Sequence, residues 1–74
     1  MKNDRIDFYQ EVLVVPGALI PKYRGMKGVV LGVSEENGTI YGYSVLLAGM
    51  NHSVYFARDD LIPTGVRFSR EDFY

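Results

Sequence analysis

The sequence predicts a single all-β domain over residues 1–74, and three observations lead to that fold class. Turn-forming residues recur every few positions, as in the Pro-Gly pair at 16–17, the Asn-Gly pair at 37–38 and the Pro-Thr-Gly run at 63–65. This spacing leaves room for strands and for little else. The segments between the turns are rich in Val, Leu, Tyr and Phe, which favour strands. A chain of 74 residues is long enough for one domain with one core.

Five strands are predicted in chain order, with one long ordered loop over residues 18–26. The strands cover residues 8–15, 27–34, 39–48, 52–57 and 61–62. Residues 58–60 are predicted to form one helical turn before the last strand, and residues 63–65 to end the sheet. Ser69 is a candidate N-cap, with Asp72 at the capping-box spacing, for a short C-terminal turn. A helical turn before a short last strand is a common closure of SH3-like barrels, so we expect a small five-stranded, strongly bent SH3-like barrel.

The hairpin at 37–38 fixes the register, because a one-residue slip moves every side chain to the opposite face. A two-residue turn would mix large side chains with glycine and serine on both faces. A three-residue loop with Gly38 left-handed separates them and is the predicted geometry. The predicted core face holds Val29, Leu31, Val33, Tyr41, Tyr43, Val45 and Leu47. The predicted outer face holds Gly28, Val30, Gly32, Gly42 and Ser44, where tight barrel curvature would explain the glycines.

The same alternation applies to the fourth strand. Val54 and Phe56 are predicted to face the core, and Ser53 and Tyr55 to face outward.

Composition narrows the class of partner. Eight basic and nine acidic side chains give a net charge of -1, so no general attraction to nucleic acid or anionic lipid is expected. The chain has no cysteine, and nothing points to an oxidising compartment. No segment approaches the roughly 20 apolar residues of a membrane span, and no signal peptide is recognised. We therefore expect a cytoplasmic protein with no membrane partner, for which nucleic acid is a possible partner but not the favoured one.

No catalytic or metal-binding motif is recognised. The single histidine, His52, could be written with Asp59 or Asp60 as an acid-base pair, but a solvated turn histidine is the simpler interpretation. Acidic pairs at 35–36, 59–60 and 71–72 could hold a hard cation, yet each falls at a predicted turn or terminus, where solvated acids are expected. The sequence therefore predicts no enzymatic activity, no cofactor and no metal.

The aromatic content points to an interface. Six tyrosines and four phenylalanines are more than a small core readily buries. Tyr41 and Tyr43 fit the predicted core, and the candidates for the surface are Tyr9, Tyr23, Tyr55, Phe73 and Tyr74. Such rings could anchor a partner, since tyrosine supplies contact area at low rotamer cost, or could seal the ends of a barrel. Aromatics near turn acids define the candidate partner-binding residues Tyr55, Arg58, Asp59, Asp60, Glu71, Asp72 and Tyr74.

Several sequence pieces occur together in one known family. They cover residues 8–9, 11–15, 25–32 and 41–45, and the most specific piece is 61–65 followed after four residues by 70–74. In these pieces the chain resembles the immunity protein 31 family of bacterial polymorphic toxin systems. The resemblance implies a cytosolic protein that binds and neutralises a cognate toxin domain. It would act by steric occlusion, or by mimicking the toxin's substrate with the acids at 59–60 and 71–72.

Two other functions fit parts of the sequence. Residues 25–32 resemble the start of a KOW-type barrel, with Lys22, Arg24 and Lys27 as a small basic patch, which would make the chain a nucleic-acid or ribosome-associated module. An aromatic groove could alternatively take an extended peptide. Gene neighbourhood separates these hypotheses: a large secreted protein encoded directly upstream favours immunity, and ribosomal or transcription genes favour the KOW-type module.

Overall fold

The computed structural model describes residues 6–72, which form one five-stranded antiparallel sheet. The strands are β1 Gln10–Val14, β2 Lys27–Glu36, β3 Thr39–Leu47, β4 Ser53–Ala57 and β5 Leu61–Arg67. Single turns of 3₁₀ helix lie at Pro21–Tyr23, Arg58–Asp60 and Arg70–Asp72. The all-β class, the five strands and the helical turn before β5 are confirmed. In the part of the chain so described, no helix is long and apolar enough to cross a membrane.

The strands are ordered β4-β3-β2-β1-β5 across the sheet. Four neighbouring pairs make up the ladders, and among residues 6–72 no ladder joins β4 to β5. The sheet is therefore open, with β4 and β5 as its two edges, and the predicted closure into a barrel is not confirmed.

The β2–β3 turn holds two residues. Asn37 and Gly38 both have positive φ, 55° and 83°, and Glu36 pairs with Thr39 on either side of them. These angles are those of a type I′ turn, whose twist matches that of the flanking strands. The predicted three-residue loop is wrong, while the left-handed conformation of Gly38 is confirmed.

Two bulges in the β2–β3 ladder decide which side chains reach the core. The first lies between Ser34 and Glu35, where Tyr41 is the extra residue on β3. The second lies between Val30 and Gly32, where Leu31 is the extra residue on β2. A bulge reverses the inward-outward alternation on its own strand and increases the local twist.

The first bulge restores the face assignment that a three-residue loop would have produced. Val33 therefore pairs with Tyr43, and Tyr43 is buried as predicted. The prediction for Tyr41 is wrong, since this bulge residue is 52% exposed.

The second bulge overturns the prediction for the first half of β2. Val30 pairs with Val45 and is fully buried, although it was predicted on the outer face. Gly28 is also buried, and Val29 and Leu31 are only partly buried rather than in the core. Gly28 lets β3 approach closely, because an ideal Cβ on it would lie 2.6 Å from Val45 Cγ1.

The core is an apolar cluster on one face of the sheet. Its buried members are Ile6, Val12, Val14, Ala18, Val30, Tyr43, Val45, Leu47, Phe56 and Leu61. On β4, Phe56 is buried, Val54 is partly buried, and Ser53 and Tyr55 are exposed, as the alternation predicts. Among residues 6–72 no polar or charged residue is buried, so apolar packing is the main source of stability.

β5 is longer than predicted, and residues 63–65 do not end the sheet. Val12 pairs with Pro63, the ladder is then interrupted, and Gln10 pairs with Arg67. Proline is tolerated because β5 is an edge strand, where a missing N–H need not break a ladder. Gly65, with φ 95°, takes up the extra chain at this irregularity and lets pairing resume.

The loop over residues 18–26 is ordered by contacts at both of its ends. Arg24 Nε donates to the Ala18 carbonyl at 2.7 Å, and Ala18 is buried. Gly25 N–H donates to the Val14 carbonyl, and Val14 N–H donates to the Met26 carbonyl, both at 2.9 Å. The Tyr23 ring packs edge-on against Phe56, with 5.7 Å between ring centroids. The loop thereby covers one side of the core.

The type I′ turn leads to a first prediction. Gly38→Val should lower the free energy of unfolding by about 1–2 kcal/mol, because a β-branched residue tolerates the left-handed region poorly. The neighbouring control Thr39→Val keeps ordinary strand geometry and should change it by less than about 0.5 kcal/mol. Urea unfolding of the two variants measures the difference, and equal midpoints would contradict the assigned turn.

Candidate protein-binding surface

Tyr55 is the most prominent aromatic side chain near the predicted site. It lies on the outer face of the edge strand β4, opposite Ser44, and is 52% exposed. Gly42 is buried beneath it, and a Cβ at Gly42 would collide with the Tyr55 ring and with the Phe56 carbonyl. The missing side chain of Gly42 therefore makes room for the ring. The Tyr55 side chain is therefore half exposed to solvent and also packed over the Gly42 backbone.

Arg58 and Asp59 lie directly after β4, in the 3₁₀ turn Arg58–Asp60. Arg58 Nε is 3.6 Å from Asp59 Oδ1, and the two side chains are 60% and 89% exposed. An exposed pair at this distance contributes little to folding. Both side chains are therefore available to contact a partner.

Asp60 is more involved in the fold than Asp59. Its backbone carbonyl accepts a hydrogen bond from Val15 N–H at 3.0 Å, and its Oδ2 lies 3.4 Å from Leu19 N–H. It therefore links the 3₁₀ turn to the segment that follows β1. A substitution at Asp60 would affect that link as well as any partner.

Glu71 and Asp72 lie in the last 3₁₀ turn, after β5. Asp72 Oδ2 accepts a hydrogen bond from Ser69 N–H at 2.9 Å and lies 3.4 Å from Ser69 Oγ. This is the reach-back half of the capping box that the sequence predicts. Tyr74, the last predicted site residue, lies outside the described residues.

The structure groups the predicted residues at two places along β5. Tyr55, Arg58 and Asp59 lie within five positions of each other, just before β5. Glu71 and Asp72 follow its far end, where Phe68 N–H donates to the Tyr9 carbonyl at 2.8 Å. The six residue steps of β5 span about 20 Å at the usual rise of a strand. We use the term β4 surface for Tyr55, Arg58 and Asp59, three exposed residues within five positions of each other at the end of β4.

A cleft of about 860 Å³ adjoins the β4 surface and was missed by the sequence reasoning. It is lined by the hairpin tip at residues 38–40, by Arg58 and Asp59, and by residues 61–63, with Ile6 and Tyr43 deeper in. These segments are far apart in the sequence. Only the register of β3 and the start of β5 bring them together, so no local pattern could have revealed the cleft.

Two of the three residues in the predicted basic patch contact other residues of the loop. Arg24 Nε binds the Ala18 carbonyl, and Lys22 Nζ lies 5.2 Å from the centroid of the Tyr23 ring. Lys27 begins β2 and is exposed. Two of the three cations that would contact phosphate therefore have partners within the loop.

The only histidine of the chain lies at the surface. His52 is exposed, and its Nδ1 lies 3.3 Å from Oδ1 of the adjacent Asn51. Between residues 6 and 72, no group of three or more His, Cys, Asp or Glu side chains is arranged to hold a metal ion.

Comparisons with protein-family models, curated proteins and solved structures give no match for this chain. The surface geometry and the sequence resemblance are therefore the two grounds for a functional proposal.

The position of Tyr55 leads to a second prediction. Gly42→Ala should lower the free energy of unfolding by about 1–3 kcal/mol, because the added methyl group overpacks a filled space. Gly32→Ala is the matched control on the same face, where a Cβ would lie 3.3 Å from Ser44 Cβ and could be accommodated by a small shift. Thermal unfolding compares the two. A loss at Gly32 as large as that at Gly42 would contradict the proposed support of Tyr55.

Proposed function

We propose that this chain is an immunity protein that binds and neutralises a cognate bacterial toxin domain in the cytoplasm. The observation that carries the proposal is the exposed Tyr55 ring packed over Gly42, with the exposed Arg58 and Asp59 side chains three and four positions further along the chain. The resemblance to the immunity protein 31 family supports the same role. Neutralisation by binding requires no catalytic group, so the chain would act as a binder and not as an enzyme.

The β4 surface has the features of a binding hot spot. Tyr and Arg are the residue types most often found at such positions, and an aromatic anchor is most effective inside a polar rim. Tyr55 would supply the anchor, while Arg58 and Asp59 would supply the rim. Because the Tyr55 ring already packs over the Gly42 backbone, binding would lose little side-chain entropy.

The fold that we propose for this role is a strongly bent SH3-like barrel. Three features support it: the strand order β4-β3-β2-β1-β5, the two bulges in the central hairpin, and the 3₁₀ turn that leads into β5. Bulges bend a sheet toward closure. In such a fold the β4 surface and the gap beside β5 would lie next to each other.

The third prediction tests the immunity role directly. Co-expression of this chain with the C-terminal domain of a secreted protein encoded directly upstream should restore growth that the domain alone abolishes. Tyr55→Ala should weaken the complex by about 2 kcal/mol or more, the usual hot-spot threshold, without changing the thermal midpoint. Calorimetric titration of the purified pair measures the affinity.

Tyr41→Ala is the matched control, since Tyr41 is also 52% exposed but lies outside the β4 surface. An equal loss of affinity for both variants would show that the partner binds exposed tyrosines in general and not the β4 surface. Failure to restore growth would contradict the immunity role itself.

The fourth prediction separates the immunity role from a KOW-type module. Purified protein should have no measurable affinity for a random-sequence DNA or RNA duplex at about 150 mM salt, because its charges nearly cancel. Fluorescence anisotropy at two salt concentrations provides the measurement. Submicromolar binding that weakens steeply as salt rises would favour the nucleic-acid function.

A further inference from the structure

The cleft beside the β4 surface lies where the open sheet would have to close. β4 pairs with β3 only from Gly42 onward, so Thr39 and Ile40 at the start of β3 extend past the end of β4. On the opposite wall are Leu61 and Ile62 of the edge strand β5, which pairs only with β1 among the described strands. The cleft thus separates two strand segments that each have one side outside the ladders.

Tyr43 supplies one specific polar group at the inner end of the cleft. The residue is 3% exposed, and its hydroxyl makes no hydrogen bond to any described residue. Within residues 6–72 no side-chain oxygen is both buried and without a partner. The small exposed part of Tyr43 must therefore include its hydroxyl. Since Tyr43 lines the cleft, we infer that this oxygen opens into it as a donor that residues 6–72 leave unused.

Among the described residues, the rest of the lining combines apolar side chains with Thr39 and one pair of opposite charges. Ile6, Ile40 and Leu61 provide apolar side chains, and among residues 6–72 the charged residues on the lining are Arg58 and Asp59. Those two lie 3.6 Å apart and cancel each other's charge. A ligand with net charge would gain no net attraction here. A neutral ligand with apolar side chains and a carbonyl acceptor would match the lining.

We propose that this cleft binds an extended, uncharged peptide segment of a partner protein. A backbone carbonyl of the segment accepts a hydrogen bond from Tyr43, and an apolar side chain packs against Ile40 and Leu61. A volume of about 860 Å³ lies within the range of clefts that bind a small ligand. The inference goes beyond the proposed function, because the ligand class follows from the cleft whatever the partner protein is.

Pro63 limits how the segment is held. It lies on the lining and has no N–H to donate, so β5 cannot offer a continuous ladder to an added strand. Binding by a long β-augmented strand is therefore less compatible with this edge than binding of a short segment. The main contacts are the Tyr43 hydroxyl and the apolar walls.

A selection from a display library of short random peptides tests the proposal on the full chain. Wild-type protein is the bait, and the Ile62→Glu variant is used for counter-selection, because it adds a charge to an exposed cleft residue. Val66→Glu is its matched control: Val66 has similar exposure on the same strand but does not line the cleft. Selected peptides should share an uncharged segment with an apolar residue, and should bind Val66→Glu as tightly as wild type.

Tyr43→Phe isolates the hydroxyl. It should weaken the selected peptides by about 2- to 12-fold, as expected for one neutral hydrogen bond, and leave the unfolding midpoint unchanged because the fold loses no hydrogen bond. Tyr41→Phe removes an exposed hydroxyl outside the cleft and should leave the affinity unchanged.

Four results would overturn the proposal. The first two are a selection without enrichment over the Ile62→Glu background and selected peptides that carry net charge. The third is equal peptide affinity for wild type and Tyr43→Phe. The fourth is a dimer of the free protein, seen by sedimentation analysis, that Ile62→Glu dissociates. The last result would assign the cleft to a second copy of the chain. Toxin neutralisation can fail or succeed independently of these results, since the display experiment contains no toxin.

Discussion

The register of the β2–β3 pair is the constraint on which the rest of the structure depends. It brings Val30 opposite Val45, and Val33 opposite Tyr43, on the core face of the sheet. β4 then adds Phe56 beside Tyr43 through its own ladder. With no disulfide and no buried polar residue among the described residues, this apolar surface must stabilise the fold. A slip of one residue would turn these side chains to solvent.

The sequence was sufficient to predict the elements but not their irregularities. The Asn-Gly pair located the hairpin, and the alternation in β4 correctly placed Phe56 and Tyr55. The two bulges could not be predicted, because a bulge requires no particular residue type on either strand. From Gly28 to Val33 the even-numbered and the odd-numbered positions are all apolar. No polar residue therefore marks which of these two sets faces outward. For this reason Val30 was assigned to the wrong face.

The candidate site divides in the same way. The β4 surface could be grouped from the sequence because its residues are close in the chain. Tyr55 lies on β4, and Arg58 and Asp59 come directly after it. The cleft could not be grouped in this way, since its walls come from the N-terminal side of β1, the β2–β3 turn and the start of β5. Tyr43 was assigned correctly to the core. That assignment gave no reason to consider its hydroxyl as a group that could contact a ligand. A core residue identified by alternation says nothing about where its terminal oxygen lies.

The position of the Tyr43 hydroxyl constrains what the cleft can bind. Phenylalanine would fill the same core space, and a hydroxyl enclosed without a partner would destabilise the fold by about 1–3 kcal/mol. The structure avoids that penalty by leaving the oxygen at the inner end of an open cleft, where water can bind it. Any ligand that fills the cleft excludes water from the hydroxyl and must supply an acceptor in its place. A purely apolar side chain would leave the hydroxyl unsatisfied, whereas a peptide segment offers a carbonyl at every residue.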